Sequence, residues 1–190
     1  MVSTKLSRKE LRRREMGQRQ FASRLFWGAL AALVLEARGC AGLQLVTPKL
    51  GVAIPTMAAR HIEISAQHEA YNSDPPTSGP HYTQPAKADF YDEALPDEQL
   101  VHDLEHGYVI IWYNCNVLST TDCDKLKADI HKVMDESGGT KLIAFPWSSL
   151  DIPVIMTSWG RMERFPVFDP NKAAAFIRAN LNHSPEPGAP

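Results

Sequence analysis

Residues Leu100–Tyr113 read LVHDLEHGYVIIWY, and the fold turns on how this stretch is read. Two histidines stand four residues apart with two carboxylates between them, and an unbroken apolar run follows. Upstream, Pro96, Asp97 and Glu98 form a helix start: a proline in the first turn, and acids at the positive end of the helix dipole. Gly107 is the matching stop. A helix of about ten residues is predicted between them. Tyr108–Tyr113 is predicted as a central strand, because a short continuous apolar run suits a strand buried on both faces.

Working outward, Thr120–Glu136 predicts an amphipathic helix with Leu126, Ile130, Val133 and Met134 on one side, ended by Gly138 and Gly139. KLIAF and PVIMTSW predict two further strands, and HIEI, from His61, another. Pro170–Asn182 predicts a final helix carrying Ala174, Phe176, Ile177 and Leu181, after which SPEPGAP reads as a loose tail. No internal repeat is present. The sum is a small single α+β domain over residues 61–184, with a mostly antiparallel sheet, two to three helices and a tail at 185–190. Between HIEI and the LVHDLEH helix lies QHEAYNSDPPTSGPHYTQPAKADFYDEALP. Its prolines restrict the backbone, and Tyr71, Tyr82, Phe90 and Tyr91 are available to pin it to a core. A loop this long inside a compact domain is usually functional.

The charge is unevenly spread. Residues 1–24 hold eight of the 20 Lys and Arg but two of the 22 Asp and Glu, which leaves 12 basic and 20 acidic side chains from residue 25 onward. An acidic main domain argues against a nucleic-acid partner. The basic segment runs into LFWGALAALVL, Leu25–Leu35, the order of a membrane-directed segment with a cytoplasmic N-terminus. A span needs roughly 20 residues. Reading on to Val46 supplies them but places Glu36 and Arg38 in hydrocarbon, at about 2 to 3 kcal/mol each. Residues 25–46 therefore read as a single-pass anchor, with a cleaved secretory signal or an apolar N-terminal helix of a soluble protein as alternatives. Residues 47–60 read as a tether. With an anchor or a signal, the domain lies outside the cytoplasm, where its partner would be the membrane itself or another membrane or exported protein. Cys115 and Cys123, eight residues apart between a strand and a helix, fit that placement as a loop-closing disulfide. Cys40 stays unpaired.

On a helix, His102 and His106 at i and i+4 project from one face about 6 Å apart, a spacing that lets two imidazoles hold one ion. His81 closes the stiff segment NSDPPTSGPH and serves as a third donor. His61 is a fourth candidate, and Met156 on a later strand would suit copper better than zinc. Glu105 and Asp103 read as carboxylates that steady ligand imidazoles through their other nitrogen. Each histidine also has a structural reading. His106 sits at the negative end of a helix dipole, His102 fits a core position, and His81 could brace its loop. His102, Glu105 and His106 further spell H-x-x-E-H, the inverzincin order in which the glutamate activates a zinc-bound water. Those enzymes need a longer helix than Gly107 allows. No phosphate loop, nucleophile elbow or C-x-x-C pair is present, and no catalytic residue or organic cofactor is assigned. Thr77 and Ser78 read as residues that tie down a turn.

Together YNSDPPTSGPHY, FYDEALPDEQLVHDLEHGYVIIWYN, TSWGRMERF and the closing PEP make the chain resemble a family of membrane-anchored bacterial proteins, domain of unknown function 3105. The resemblance covers about residues 60–187. Its matching positions are His61, Pro75 to His81, His102, Glu105, His106, Gly107, Trp159 and Arg161. The chain departs from the pattern at Glu36 and Arg38, inside the apolar segment. The family carries no established activity, but the resemblance gathers on the histidines. The leading expectation is a tethered domain that binds a transition metal through His81, His102 and His106, completed by His61 or Met156. Copper is preferred and zinc is the alternative, since copper binds nitrogen donors more tightly at equal geometry. The rival expectations are a protein-interaction module built on the Pro-rich loop and the HDLEH helix, and a zinc hydrolase.

Overall fold

A computed structural model describes residues 49–189. Seven strands and three α-helices follow in the order β1 (Val52–Ala53), β2 (Arg60–His61), β3 (Pro80–His81), α1 (Asp97–Glu105), β4 (Val109–Tyr113), α2 (Thr120–Glu136), β5 (Leu142–Pro146), β6 (Val154–Ser158), β7 (Arg161–Phe165) and α3 (Pro170–Asn180). The main sheet runs β1-β7-β6-β4-β5, and a two-residue parallel pair, β2-β3, stands apart from it. Every neighbour in the main sheet is antiparallel except β4 and β5, which run parallel because α2 carries the chain back between them. The domain is α+β with a mostly antiparallel sheet.

β4 lies inside the sheet with all five residues buried, as its unbroken apolar run requires. Its pleat sends Ile110 and Trp112 to one side and Val109, Ile111 and Tyr113 to the other. The first side packs under α1, where Leu100 and Leu104 meet Ile143, Phe145, Ile155 and Met162. The second side packs under α2 and α3, through Leu126, Ile130, Val133, Phe176 and Ile177. Burying each of these large side chains contributes about 1.5 to 3 kcal/mol, so the two cores fix both helix layers against one sheet.

The helix starts match their residues. Ser119 caps α2 by accepting from the Asp122 amide, and Asp169 caps α3 by accepting from the Asn171 and Lys172 amides. Cys115 and Cys123 form the disulfide that closes the turn into α2.

Three expectations need correction, and one strand was not foreseen. Of the predicted strand HIEI only His61 lies in a strand, the two-residue β2, which begins one residue earlier at Arg60. The supposed tether supplies β1, whose Val52 and Ala53 pair with Met162 and Arg161. The strand β7, RMERF, was not predicted, because three of its five residues are charged and only Met162 and Phe165 are buried. Finally, the C-terminal tail is held. Asn182 N donates to Gly107 O (2.8 Å) and Glu186 N to Glu105 O (3.1 Å), and Lys141 Nζ donates to Pro187 O (2.9 Å) and Ala189 O (2.8 Å). The segment expected to be an anchor or signal, residues 25–46, lies outside the described residues. Among those described, no helix is long and apolar enough to cross a membrane.

Candidate metal centre

The centre is built where the long loop crosses the end of α1. In that loop the block from Pro75 to His81 is buried throughout. Met57 N donates to Ser78 Oγ (2.9 Å), Gly160 N to Thr77 O (3.1 Å), and the Tyr71 hydroxyl to Pro80 O (2.7 Å). Gly79 stands at φ +129 with the Tyr71 ring 3.0 Å from where a Cβ would be, so a side chain there is barred by both conformation and space. The PPTSGPH and SWGR motifs are therefore in direct contact, through the Thr77–Gly160 hydrogen bond.

This rigid block presents His81. The parallel pairing of β2 with β3 sets His61 opposite His81, and α1 brings His102 and Glu105 to the same place. His61, His81, His102 and Glu105 each offer one ligand-type atom, all within 4.8 Å of one another. The ring centroids are 4.9 Å apart for His61 and His81, 5.4 Å for His61 and His102, and 5.3 Å for His81 and His102.

Two buried nitrogens in this cluster make no hydrogen bond. His81 Nδ1 lies 2.8 Å from Gly79 O, and since a carbonyl can only accept, Nδ1 carries a proton there. Its Nε2 is buried and lies 2.9 Å from Glu105 Oε2, yet it makes no hydrogen bond. Both residues belong to the group of four whose ligand-type atoms lie within 4.8 Å of one another. His102 Nδ1 is also buried without a hydrogen-bond partner. Burial, reinforced by the His106, His81 and His61 imidazoles, pushes the His102 pKa down to about 4. Its ring is therefore neutral at physiological pH, the form that binds a metal.

His106 is close but differently placed. Its ring centroid is 4.2 Å from that of His102, but it is the C-cap residue of α1 at φ −81, ψ 4, beyond the last helical turn. Its nitrogen groups instead with Glu105 and with Glu186 from the tail, again within 4.8 Å. Glu105 belongs to both groups, as a donor and not only as a support for an imidazole. Glu186 was not anticipated, because the only hint of it was the closing PEP of a tail that read as loose.

Met156 and Asp103 take no part. Met156 pairs with Ile111 across β4 and β6 and so shares its face of the sheet, in the core under α2 and α3, away from α1. Asp103 is turned to the loop: its Oδ2 accepts from Ala86 N (3.0 Å), and its Oδ1 has no partner. Burial pushes its pKa up to about 8. The remaining histidines are engaged elsewhere, His68 with Glu98 and His131 stacked on Phe90, while His183 Nδ1 meets Ala179 O.

Fold and site define an α+β domain with a histidine–glutamate cluster able to hold a metal ion. A family model described as "Protein of unknown function (DUF3105)" matches residues 63–190, and the chain belongs to that family. No curated protein and no solved structure was found to match.

Proposed function

We propose that this domain is a metal-binding module, tethered outside the cytoplasm by its N-terminal segment, that holds one zinc or copper(II) ion through His61, His81, His102 and Glu105. The observation that carries the reading is His81: its Nδ1 is committed to Gly79 O, while its Nε2 stays buried without a hydrogen bond beside Glu105 Oε2. A buried polar atom left so costs about 1 to 3 kcal/mol, a deficit that an ion removes. Three imidazoles and a carboxylate suit a borderline divalent ion. Of the grounds for preferring copper, Met156 falls away because it lies on the other face of the sheet, while the affinity of copper for nitrogen donors stands. Four protein donors complete a tetrahedron, the pattern of sites that hold an ion, whereas catalytic zinc keeps an open position. That favours binding or delivery over hydrolysis at this position. His61 is exposed and borders a polar cleft with Glu63, Thr83 and Gln84, which supplies the access path.

The test is metal uptake by the full chain after chelator treatment, measured by elemental analysis and by competition with a chromophoric chelator. Tight uptake of zinc or copper(II) that His81→Ala and His102→Ala abolish supports the reading. Indifference to added ions, or unchanged uptake in both variants, overturns it and leaves the interaction module.

A further inference from the structure

We propose that Glu105, His106 and Glu186 form a second cation position that shares the Glu105 carboxylate with the histidine centre, so that the site is dinuclear. This rests on the preceding reading, since the second position borrows a donor from the first.

The geometry starts from Glu105. Only 6% of the residue is exposed, and the three donors offered by Glu105, His106 and Glu186 lie within 4.8 Å of one another. His106 Nε2 stands 3.7 Å from Glu186 Oε2, too long for a hydrogen bond and suited to two ligands of one ion. A carboxylate has two oxygens and can give one to each of two cations. On the histidine side, the buried Nε2 of His81 faces Glu105 Oε2 with no hydrogen bond of its own, so Glu105 is drawn toward an ion there independently of Glu186.

The C-terminal segment is fastened so as to complete this position. Asn182 N donates to Gly107 O and Glu186 N to Glu105 O, tying the tail to the end of α1 on both sides of His106. Lys141 Nζ adds bonds to His106 O (2.9 Å), Pro187 O (2.9 Å) and Ala189 O (2.8 Å), which places one ammonium between the α1 turn and the residues after Glu186. The result delivers an exposed carboxylate to a buried one and an imidazole, a mixed oxygen and nitrogen donor set for a divalent ion. The donor set is richer in oxygen than its neighbour, so it also admits harder ions such as manganese beside zinc and copper(II). Three protein donors also leave a coordination position for water or an anion, unlike the four-donor centre beside it.

The full chain, stripped of metal and reloaded with zinc, is expected to retain two equivalents after removal of free ion. Glu186→Gln, at an exposed side chain, is expected to retain one at undiminished affinity. Loading with copper(II) gives a readout that needs no variant: two ions bridged by one carboxylate, about 4 Å apart, couple magnetically, and the single-ion electron paramagnetic resonance spectrum is replaced by a half-field line or by loss of signal. One equivalent in wild type and Glu186→Gln alike overturns the second position and leaves the histidine centre standing. Two equivalents of copper(II) that keep the undisturbed spectrum of isolated ions overturn the shared carboxylate. No uptake by either protein overturns both readings.

Discussion

His81 Nε2 and Glu105 Oε2 lie 2.9 Å apart, both buried, without a hydrogen bond between them. The pair joins the stiffened loop to the last residue of α1, and its charge depends on the carboxylate. Glu105→Gln keeps the shape and removes the charge and one anionic donor. The affinity for zinc is expected to fall by at least roughly tenfold, read by chelator competition, with the melting temperature of the metal-free protein little changed.

Met156 supplies the opposite control. It is fully buried on the α2 and α3 side of the sheet. Met156→Leu conserves volume and is expected to cost less than about 1.5 kcal/mol in urea denaturation. Metal stoichiometry and affinity should not move.

Gly107 ends α1 at φ +90, and a Cβ there would sit 2.7 Å from the Asn182 Cα. Gly107→Ala therefore meets both a disfavoured conformation and backbone that a side-chain rotation cannot clear. A loss of at least 1 to 3 kcal/mol, about the cost of the conformation alone, is expected in chemical denaturation. Because Asn182 leads into the tail, hydrogen exchange at Glu186 should speed up as well.

Asp103 predicts a pH dependence of stability. Burial raises its folded pKa from the usual 3.8 to about 8, so between those values the folded state holds a proton that the unfolded chain releases. Its contribution is complete below pH 4 and is lost as pH rises through about 8. Asp103→Asn, which keeps an oxygen for the Ala86 amide, should flatten that decline and leave the variant the more stable protein at pH 9. The comparison is made on metal-free protein by denaturation at several pH values.

The Cys115–Cys123 disulfide spans eight residues at the entrance to α2, with Cα atoms 5.2 Å apart. A loop this short restricts the unfolded chain by about 2 to 3 kcal/mol. Reduction, or the double replacement by serine, should lower stability by that amount. Metal uptake should persist, because the bridge holds neither α1 nor the Pro-rich block.

Much of this was legible in local pattern. Pro96 and Gly107 bracket α1, the run VIIWY marks β4, and Leu126, Ile130 and Val133 mark α2, because each signal lies within a few residues and reports a face that must be buried. What escaped depends on contacts between distant residues. RMERF becomes a strand only because Val154–Ser158 offers it an edge, and Val52–Ala53 only because β7 does. The loose reading of the tail failed for the same reason, since Lys141, more than 40 residues earlier, binds it.

By itself the sequence determined the α+β class, and it pointed to the Cys115–Cys123 pairing and to the two motifs that bring His61, His81 and His102 together, because the residue types and the stiffness of PPTSGPH are written into the chain. Only the tertiary structure decided which atoms converge. Sheet pleat and register placed Met156 under the wrong helices, and the end of α1 turned His106 toward Glu186. The physical reason is that ligand geometry is a property of side-chain direction. Direction is set by the partner strand, the helix end and the returning tail, none of which lies beside the ligand in sequence.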